Sequence, residues 1–400
     1  MPWILGVVLV IFLPLAGLAF FVGKILLDVV DSYQRWQRKQ IRLTLILLFG
    51  YLSLLPISFC LAFLFLGRGA SVYFAGDYFL IDLFIIYPFW FFLVVLFQLF
   101  ILFSIFELTS FIIKKVLKLY GEWLRNKHHL ILSWTTVFII LYSAIVVIDN
   151  TWTIKIVSKK INLPSEMKQL TGVRLVQISD VQGDGRTNEN KLRSFVKKVN
   201  ALNPDIIIYA GDLVTSGKNY IASTARILGN LKPKYETYAV LGDHDYFSDA
   251  PMVIRELAKN GIILLQDTTI TFLKEKAVVK ITGVTYTYSK KPSEKELNDK
   301  TDNSLSYYKI MLSHQPAEEL VSIAVEQKYQ LFLAGHTHGG GISFGIPGIF
   351  LLAPANFESR YVSGFYEKGK TLISVNNGLG FTLAPIRFHA PAQITVLDFD

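Results

Sequence analysis

Leu331-Phe332-Leu333-Ala334-Gly335-His336-Thr337-His338-Gly339-Gly340-Gly341 is an apolar run that stops at a glycine and delivers two histidines. Its length and composition suit a buried strand. Residues i and i+2 of an extended segment point the same way, so His336 and His338 can face one site at a strand end. The glycines keep the surroundings bare, so backbone or ligand can approach closely. A lone His-x-His is weak, because histidines are common on surfaces and in cores. Its meaning depends on whether other ligand types converge on it.

Four earlier segments have the same design. Val173-Arg174-Leu175-Val176-Gln177-Ile178-Ser179 runs into Asp180-Val181-Gln182. Ile206-Ile207-Ile208-Tyr209-Ala210 runs into Gly211-Asp212. Thr237-Tyr238-Ala239-Val240-Leu241 runs into Gly242-Asp243-His244-Asp245. Lys309-Ile310-Met311-Leu312-Ser313 runs into His314. Between the first two, Leu192, Phe195, Val196 and Val199 recur at helical spacing. Alternating strands and helices gather strand ends, and the loops after them, on one rim of a sheet. Carboxylates and imidazoles collected there suit divalent transition metals.

The rest of the chain sets limits. Its 400 residues are enough for two or more domains. Apolar residues make up 52% and crowd the first 150 positions, dividing a membrane half from a soluble half. The net charge of +9 is spread out: residues 1–150 hold 11 Lys/Arg against 7 Asp/Glu, leaving +5 for the remainder. No dense basic stripe interleaved with aromatics is present, which argues against nucleic acid as a partner. Cys60 is the only cysteine, so an intrachain disulfide or a cysteine zinc site is impossible.

Four segments, about 3–21, 43–66, 83–106 and 130–148, reach the roughly 20 apolar residues that cross a bilayer. The first has no basic start and no cleavage signal, so it reads as a retained helix. The first and third connections are basic, with Arg35, Arg38, Lys39 and Arg42 in one and Lys114, Lys115, Lys118, Arg125 and Lys127 in the other. That bias puts both connections in the cytoplasm and the soluble half outside it. Ile112, Val116, Leu119, Tyr120 and Trp123 form an apolar stripe that either lies in the interface or prolongs the third span. Gln98 is expected to bond a neighbouring helix. Residues 150–170 read as a polar tether between a four-helix region, 1–149, and a soluble domain, 171–400.

The blocks Asp180-Val181-Gln182, Gly211-Asp212, Gly242-Asp243-His244-Asp245, His314 and Gly335-His336-Thr337-His338 resemble, in order, the calcineurin-like metallophosphoesterase pattern D-x-H, G-D, G-N-H-[DE], H, G-H-x-H. Gly378-Leu379-Gly380 with Pro385-Ile386-Arg387-Phe388 is similar to the closing segment of its membrane-linked members. The resemblance implies an α/β domain of two packed β-sheets flanked by helices, with two divalent metals (Mn, Fe, Zn or Mg) at one rim. Carried over position by position, Asp180, Gln182, Asp212 and His338 would hold one metal. Asp212 would bridge to a second, held by Asp243, His314 and His336. His244 would protonate the leaving group, with Asp245 orienting it. Two positions depart from the pattern: Gln182 replaces its histidine and Asp243 its asparagine. A glutamine carbonyl binds a transition metal more weakly than imidazole, so the first site should be the weaker.

Arg186 is a candidate to hold a substrate phosphate through its planar fork; the plainer reading is a solvated loop arginine. Asn376 and Asn377 suit the glycine turn, and His128, His129 and His389 read as non-ligands. The expectation is a multi-pass membrane phosphoesterase whose domain lies outside the cytoplasm, meets membrane lipids and acts on lipid-linked or cell-envelope phosphate esters. Two alternatives remain. One is a metal-poor sensor of phospho-ligands that signals through the helices. The other is a cytosolic-face pyrophosphatase of nucleotide-linked lipids.

Overall fold

The computed structural model describes residues 2–32, 38–66, 78–116, 122–274, 277–293, 295–297, 307–346, 350–382 and 384–400. The side chains of 2–14, 38, 41, 63, 116, 122–126, 346, 350 and 351 lie outside that description. The chain divides into two compact units, Met1–Ala70 with Tyr78–Ile148, and Ser71–Asp77 with Asp149–Asp400.

The first unit is helical: α1 (Pro2–Ser32), α2 (Arg38–Leu52), α3 (Leu54–Leu66), α4 (Phe79–Ile81), α5 (Tyr87–Phe111) and α6 (Glu122–Trp152). The break between α2 and α3 at Ser53 lies just before Pro56, whose missing N–H leaves the Leu52 carbonyl without its helical donor. Val22 and Val29 of α1, Leu96 and Phe103 of α5, and Leu132 and Ile139 of α6 share one buried cluster. Gln98 donates to Ser143 Oγ at 2.8 Å, tying α5 to α6 as expected. Ile46, Phe65, Phe138 and Ile145 face outward, a surface that suits lipid.

Among the described residues, three helices are long and apolar enough to cross a membrane: Arg42–Ala62, Phe79–Lys115 and Lys127–Trp152. They match the second, third and fourth expected spans. The expected first span falls in α1, whose side chains 2–14 are outside the described residues. The stripe from Ile112 prolongs α5 as a wide turn through Val116; residues 117–121 are outside the described residues.

The second unit stacks two six-stranded mixed sheets. The first has the order β1 (Ile154–Ile161), β14 (Ala392–Phe399), β2 (Arg174–Ile178), β3 (Ile206–Tyr209), β4 (Thr237–Ala239), β5 (Ile263–Leu264). The second has the order β12 (Gly364–Lys368), β13 (Thr371–Val375), β9 (Leu331–Ala334), β8 (Tyr308–Ser313), β7 (Ala277–Val284), β6 (Thr268–Lys274). A separate hairpin pairs β10 (Phe344–Ile346) with β11 (Phe350–Leu352).

Period-two alternation sends Leu175, Ile206 and Ile208 of the first sheet, with Ile281, Ile310, Leu331 and Leu333 of the second, into one core between the sheets. The other face of the first sheet is covered by α7 (Glu189–Asn200), α8 (Ile221–Leu228) and α10 (Ala250–Lys259), the last preceded by the short α9 (Asp243–Ser248), and that of the second by α11 (Glu318–Glu326). α7 shows why such helices form where they do. The Asn188 side chain accepts the Lys191 N–H at its start, Lys197 and Lys198 sit at its end, and Leu192, Phe195, Val196 and Val199 are its buried stripe.

Residues 150–170 were expected to be a tether and are not one. They carry β1, which pairs in parallel with β14 over eight positions, and a 3-10 turn at Ser165–Leu170. The lysines that suggested a solvated linker, Lys155, Lys159 and Lys160, lie on an edge strand, where charge facing water discourages further pairing. A partner strand more than 200 residues away leaves no local trace.

Candidate metal centre

Parallel strands β2, β3, β4, β8 and β9 end on one rim and deliver the expected ligands there. Two groups form. Asp243, His314 and His336 offer ligand atoms within 4.8 Å of one another, and so do Asp180, Asp212 and His338. His314 joins them: its Nε2 is 3.4 Å from Asp212 Oδ2 and 3.4 Å from Asp243 Oδ2. His336 Nδ1 lies 3.0 Å from Asp243 Oδ2, and His338 Nε2 lies 3.4 Å from Asp180 Oδ1. Gln182 is in the same cage, where its Nε2 donates to Asp212 Oδ2 at 2.9 Å.

The backbone is strained at this rim. Asp180, Gln182, Asp212, His336 and His338 all have φ between 47° and 71°, a region that costs non-glycine residues about 1–3 kcal/mol each. Such strain persists only where surrounding structure enforces it. Gly242 is part of that enforcement, because a Cβ there would sit 2.1 Å from Asp212 Oδ1. Gly340, at φ +86°, lets Ala353 pack against the loop. Beneath the cage Gln177 donates to the Ala334 carbonyl and accepts from Ser374 Oγ, linking the two sheets. Asn376, expected only to shape a turn, is buried and bridges Ser179, Gln177 and Thr395.

The donor set fits divalent cations. Asp180 Oδ1, Gln182 Oε1 and His314 Nε2 are buried without a hydrogen-bond partner, and buried polar atoms are rarely left so. His314 Nδ1 donates to the Ala210 carbonyl at 2.7 Å, which turns Nε2 toward the two carboxylates.

Charge is tightly coupled here. Burial and the Asp212 charge push Asp180 up to about 6 and Asp245 up to about 7. Burial opposes ionisation of Asp212, but His314 and His244 hold it at about 2. Burial opposes ionisation of Asp243, but the His314 and His336 imidazoles beside its carboxylate outweigh this and hold it far below the usual carboxylate range. Burial disfavours charge on His336, yet bonds to Asp243 and Glu358 raise it to about 9. His314 is raised for the same kind of reason, by Asp212 and Asp243. His338 goes the other way, lowered by burial and by the Arg387 charge.

The raised His336 stabilises the fold fully below its unfolded value of about 6.5. That contribution is lost as pH climbs through about 9. A cation taken up by Asp243, His314 and His336 must displace those imidazolium protons. Calorimetric metal titration at pH 7.5, in buffers of different ionisation enthalpy, should show release of about two protons at this group. Uptake without proton release would contradict the assignment.

The two residues assigned to acid chemistry take separate places. His244 Nδ1 meets the Thr215 carbonyl at 2.5 Å, and its Nε2 lies 3.3 Å from Thr382 Oγ1. Asp245 was expected to orient this ring. Instead its carboxylate accepts the backbone N–H groups of Asp212, Leu213 and Gly242. As the third residue of a helix start it reaches back to the preceding loop, so the Thr215 carbonyl sets the imidazole. Arg186 is half-buried in the loop between β2 and α7, and its backbone N–H donates to Asp184 Oδ1 at 2.8 Å.

Sequence reasoning missed several neighbours. The Tyr288 N–H and the Gln315 amide both donate to Asp243. Glu358 Oε2 lies 3.0 Å from His336 Nε2. Arg387 is buried and donates to five backbone carbonyls around the cage. Of these only Arg387 left a signal, a charged residue inside an apolar closing segment. Among the described residues His128, His129 and His389 belong to neither ligand group.

Comparison with known proteins agrees with this geometry. Residues 173–340 match the sequence profile of the calcineurin-like phosphoesterases. An uncharacterized metallophosphoesterase of Campylobacter jejuni is 30% identical over 291 residues, covering 70% of this chain and 72% of its own. A zebrafish (Danio rerio) transmembrane protein with a metallophosphoesterase domain is 28% identical, covering 60% of this chain and 56% of its own. An uncharacterized metallophosphoesterase of Bacillus subtilis is 28% identical, covering 56% of this chain and 78% of its own. With the ligand order, the rim position and these relatives in agreement, the chain belongs to the calcineurin-like phosphoesterase family.

Proposed function

We propose that this chain is a membrane-bound, metal-dependent phosphoesterase that hydrolyses phosphate esters at a dinuclear centre. The observation that carries the reading is the pair of carboxylate–imidazole groups joined through His314, with three buried polar atoms unpartnered at their meeting point. Divalent cations held there would polarise the phosphoryl group and make water a better nucleophile. The chain's own part is to hold phosphate and move a proton. The His244 Nδ1–H donates a hydrogen bond to the Thr215 carbonyl, so the proton passed to the departing oxygen would be the one on Nε2 of the imidazolium, leaving the ring as the neutral Nδ1–H form until water returns a proton to Nε2. Asp245 keeps Asp212 and Gly242 in place beneath it.

Replacement of His244 by alanine should lower kcat by about 10²–10⁴-fold with metal content unchanged. Turnover of an aryl phosphate by the solubilised full chain, alongside elemental analysis, checks both halves. Metal bound to the wild type without turnover of any phosphate ester would overturn the reading. A second reading has its own observation. Gln182 occupies Asp212 Oδ2 with an amide proton, which favours a single cation at Asp243, His314 and His336 and a domain that binds phospho-ligands without hydrolysing them. Activity gained on Gln182→His would support it.

The basic connections between the helices support a multi-pass arrangement with the domain outside the cytoplasm. A reporter enzyme active only in the cytoplasm, fused at the carboxyl terminus, should stay silent.

A further inference from the structure

Large apolar side chains gathered on a surface usually mark what that surface touches. Four of them surround the metal centre. The Phe247 ring is 60% exposed and lies 6.0 Å from the His244 ring. Tyr288 is 49% exposed and stands edge-on to His336 at 5.5 Å. Phe357 is 96% exposed and directly precedes Glu358, whose carboxylate reaches His336. Leu352 is 63% exposed and directly precedes Ala353, which packs on Gly340 of the ligand loop. Residues 344–357 contain no charged side chain. The exposed Lys291 ammonium sits 5.8 Å from the Tyr288 ring, so positive charge accompanies the apolar rim.

We propose that this collar rests on a lipid surface, with acyl chains against Phe247, Tyr288, Leu352 and Phe357 and the ester phosphate of a lipid in the metal centre. The proposal rests on the phosphoesterase reading above and names its substrate class. Three observations favour lipid over other occupants. The collar mixes aliphatic Leu352 with aromatics, whereas a nucleobase seat would want parallel ring faces. Lys291 suits an anionic headgroup. The apolar helix α6 ends at Trp152 and β1 begins at Ile154, so the domain is joined to a membrane-type helix by one residue and stays near a bilayer. Cationic and aromatic residues beside exposed aliphatics are the composition of surfaces that lie in the headgroup region.

The single cysteine makes a direct test possible. In a Cys60→Ser background, Phe357→Cys carries an environment-sensitive fluorophore in the full chain, reconstituted in phosphatidylcholine–phosphatidylglycerol vesicles. Doxyl groups on the acyl chains should quench this label at least about twofold, and aqueous iodide should not. Leu273→Cys, on β6 and 63% exposed, is the comparison and should respond to iodide alone. The proposal is overturned if the label at 357 behaves like that at 273. It is also overturned if two such chains cross-link through position 357, which assigns the collar to a second copy, or if a nucleoside monophosphate protects the label where lipid does not. The readout needs no turnover. A label in lipid on an inert domain would sink only the phosphoesterase reading, and a label in water on an active one would sink only this inference.

Discussion

Asparagine at position 212 should strip activity by at least about 10³-fold while leaving thermal stability without metal within a few degrees of wild type. The first half follows from position. Asp212 belongs to one ligand group and stands 3.4 Å from His314 Nε2, the atom that joins it to the other. A neutral amide donates weakly to a divalent cation and cannot offset its charge, so both groups should lose occupancy together. The second half follows from two opposing terms. The ionised Asp212 is favoured by His314 and His244, so neutralising it forfeits that attraction. The same charge pushes Asp180 and Asp245 upward, so neutralising it also relieves two buried carboxyls. The hydrogen bonds survive, because an asparagine oxygen still accepts the His244 N–H. The unpartnered Gln182 carbonyl can turn to meet the new amide. Elemental analysis, turnover and calorimetry with and without metal separate these effects. Activity within tenfold of wild type would remove Asp212 from the bridging role.

That the aspartate could be singled out from the sequence reflects how the fold places its chemistry. Each ligand block follows an apolar run, and parallel strands end on one rim, so period and punctuation were enough to predict that the five blocks converge; which seven side chains are ligands, and that Asp212 bridges, came from the resemblance to the family pattern. The sheets and flanking helices were legible for the same reason, as with the stripe of α7. What was hidden depends on pairings without local pattern. β1 looks like a lysine-rich linker until β14 lies beside it. Glu358 and Tyr288 reach His336 from loops 22 and 48 positions away, and Asn376 meets Gln177 across 199. The misassigned role of Asp245 has another origin. The family resemblance implied that Asp245 orients His244, but a helix start turns consecutive side chains in different directions, and the carboxylate caps the backbone instead.

Arg387 is where the structure predicts the largest loss of stability. It is fully buried, and its Nη1 donates to the carbonyls of His338, Asn377 and Ala390 while Nη2 donates to those of Gly378 and Gly380. Burial lowers its pKa to about 10, and Asp180 is the charge that opposes this shift, so the guanidinium stays charged at neutral pH. Arg387→Met keeps much of the volume but takes a donor from five carbonyls and leaves those of Asn377, Gly380 and Ala390 with none, while His338 and Gly378 keep the N–H groups of Gly341 and Gln393. Unpaired buried groups cost roughly 1–3 kcal/mol each, less where water or a shift of the loop can satisfy them, so a net loss of about 4 kcal/mol is expected. Arg387→Lys restores charge and up to three donors from one point, and should recover less than half of it. The two variants also separate structure from charge at the metal centre. The Arg387 charge helps to keep His338 unprotonated, and lysine preserves that influence where methionine does not. Metal affinity measured below pH 6 should therefore fall more steeply for methionine than for lysine. Equal stability of all three proteins would mean that the carbonyls find other donors and that Arg387 is no keystone of the rim.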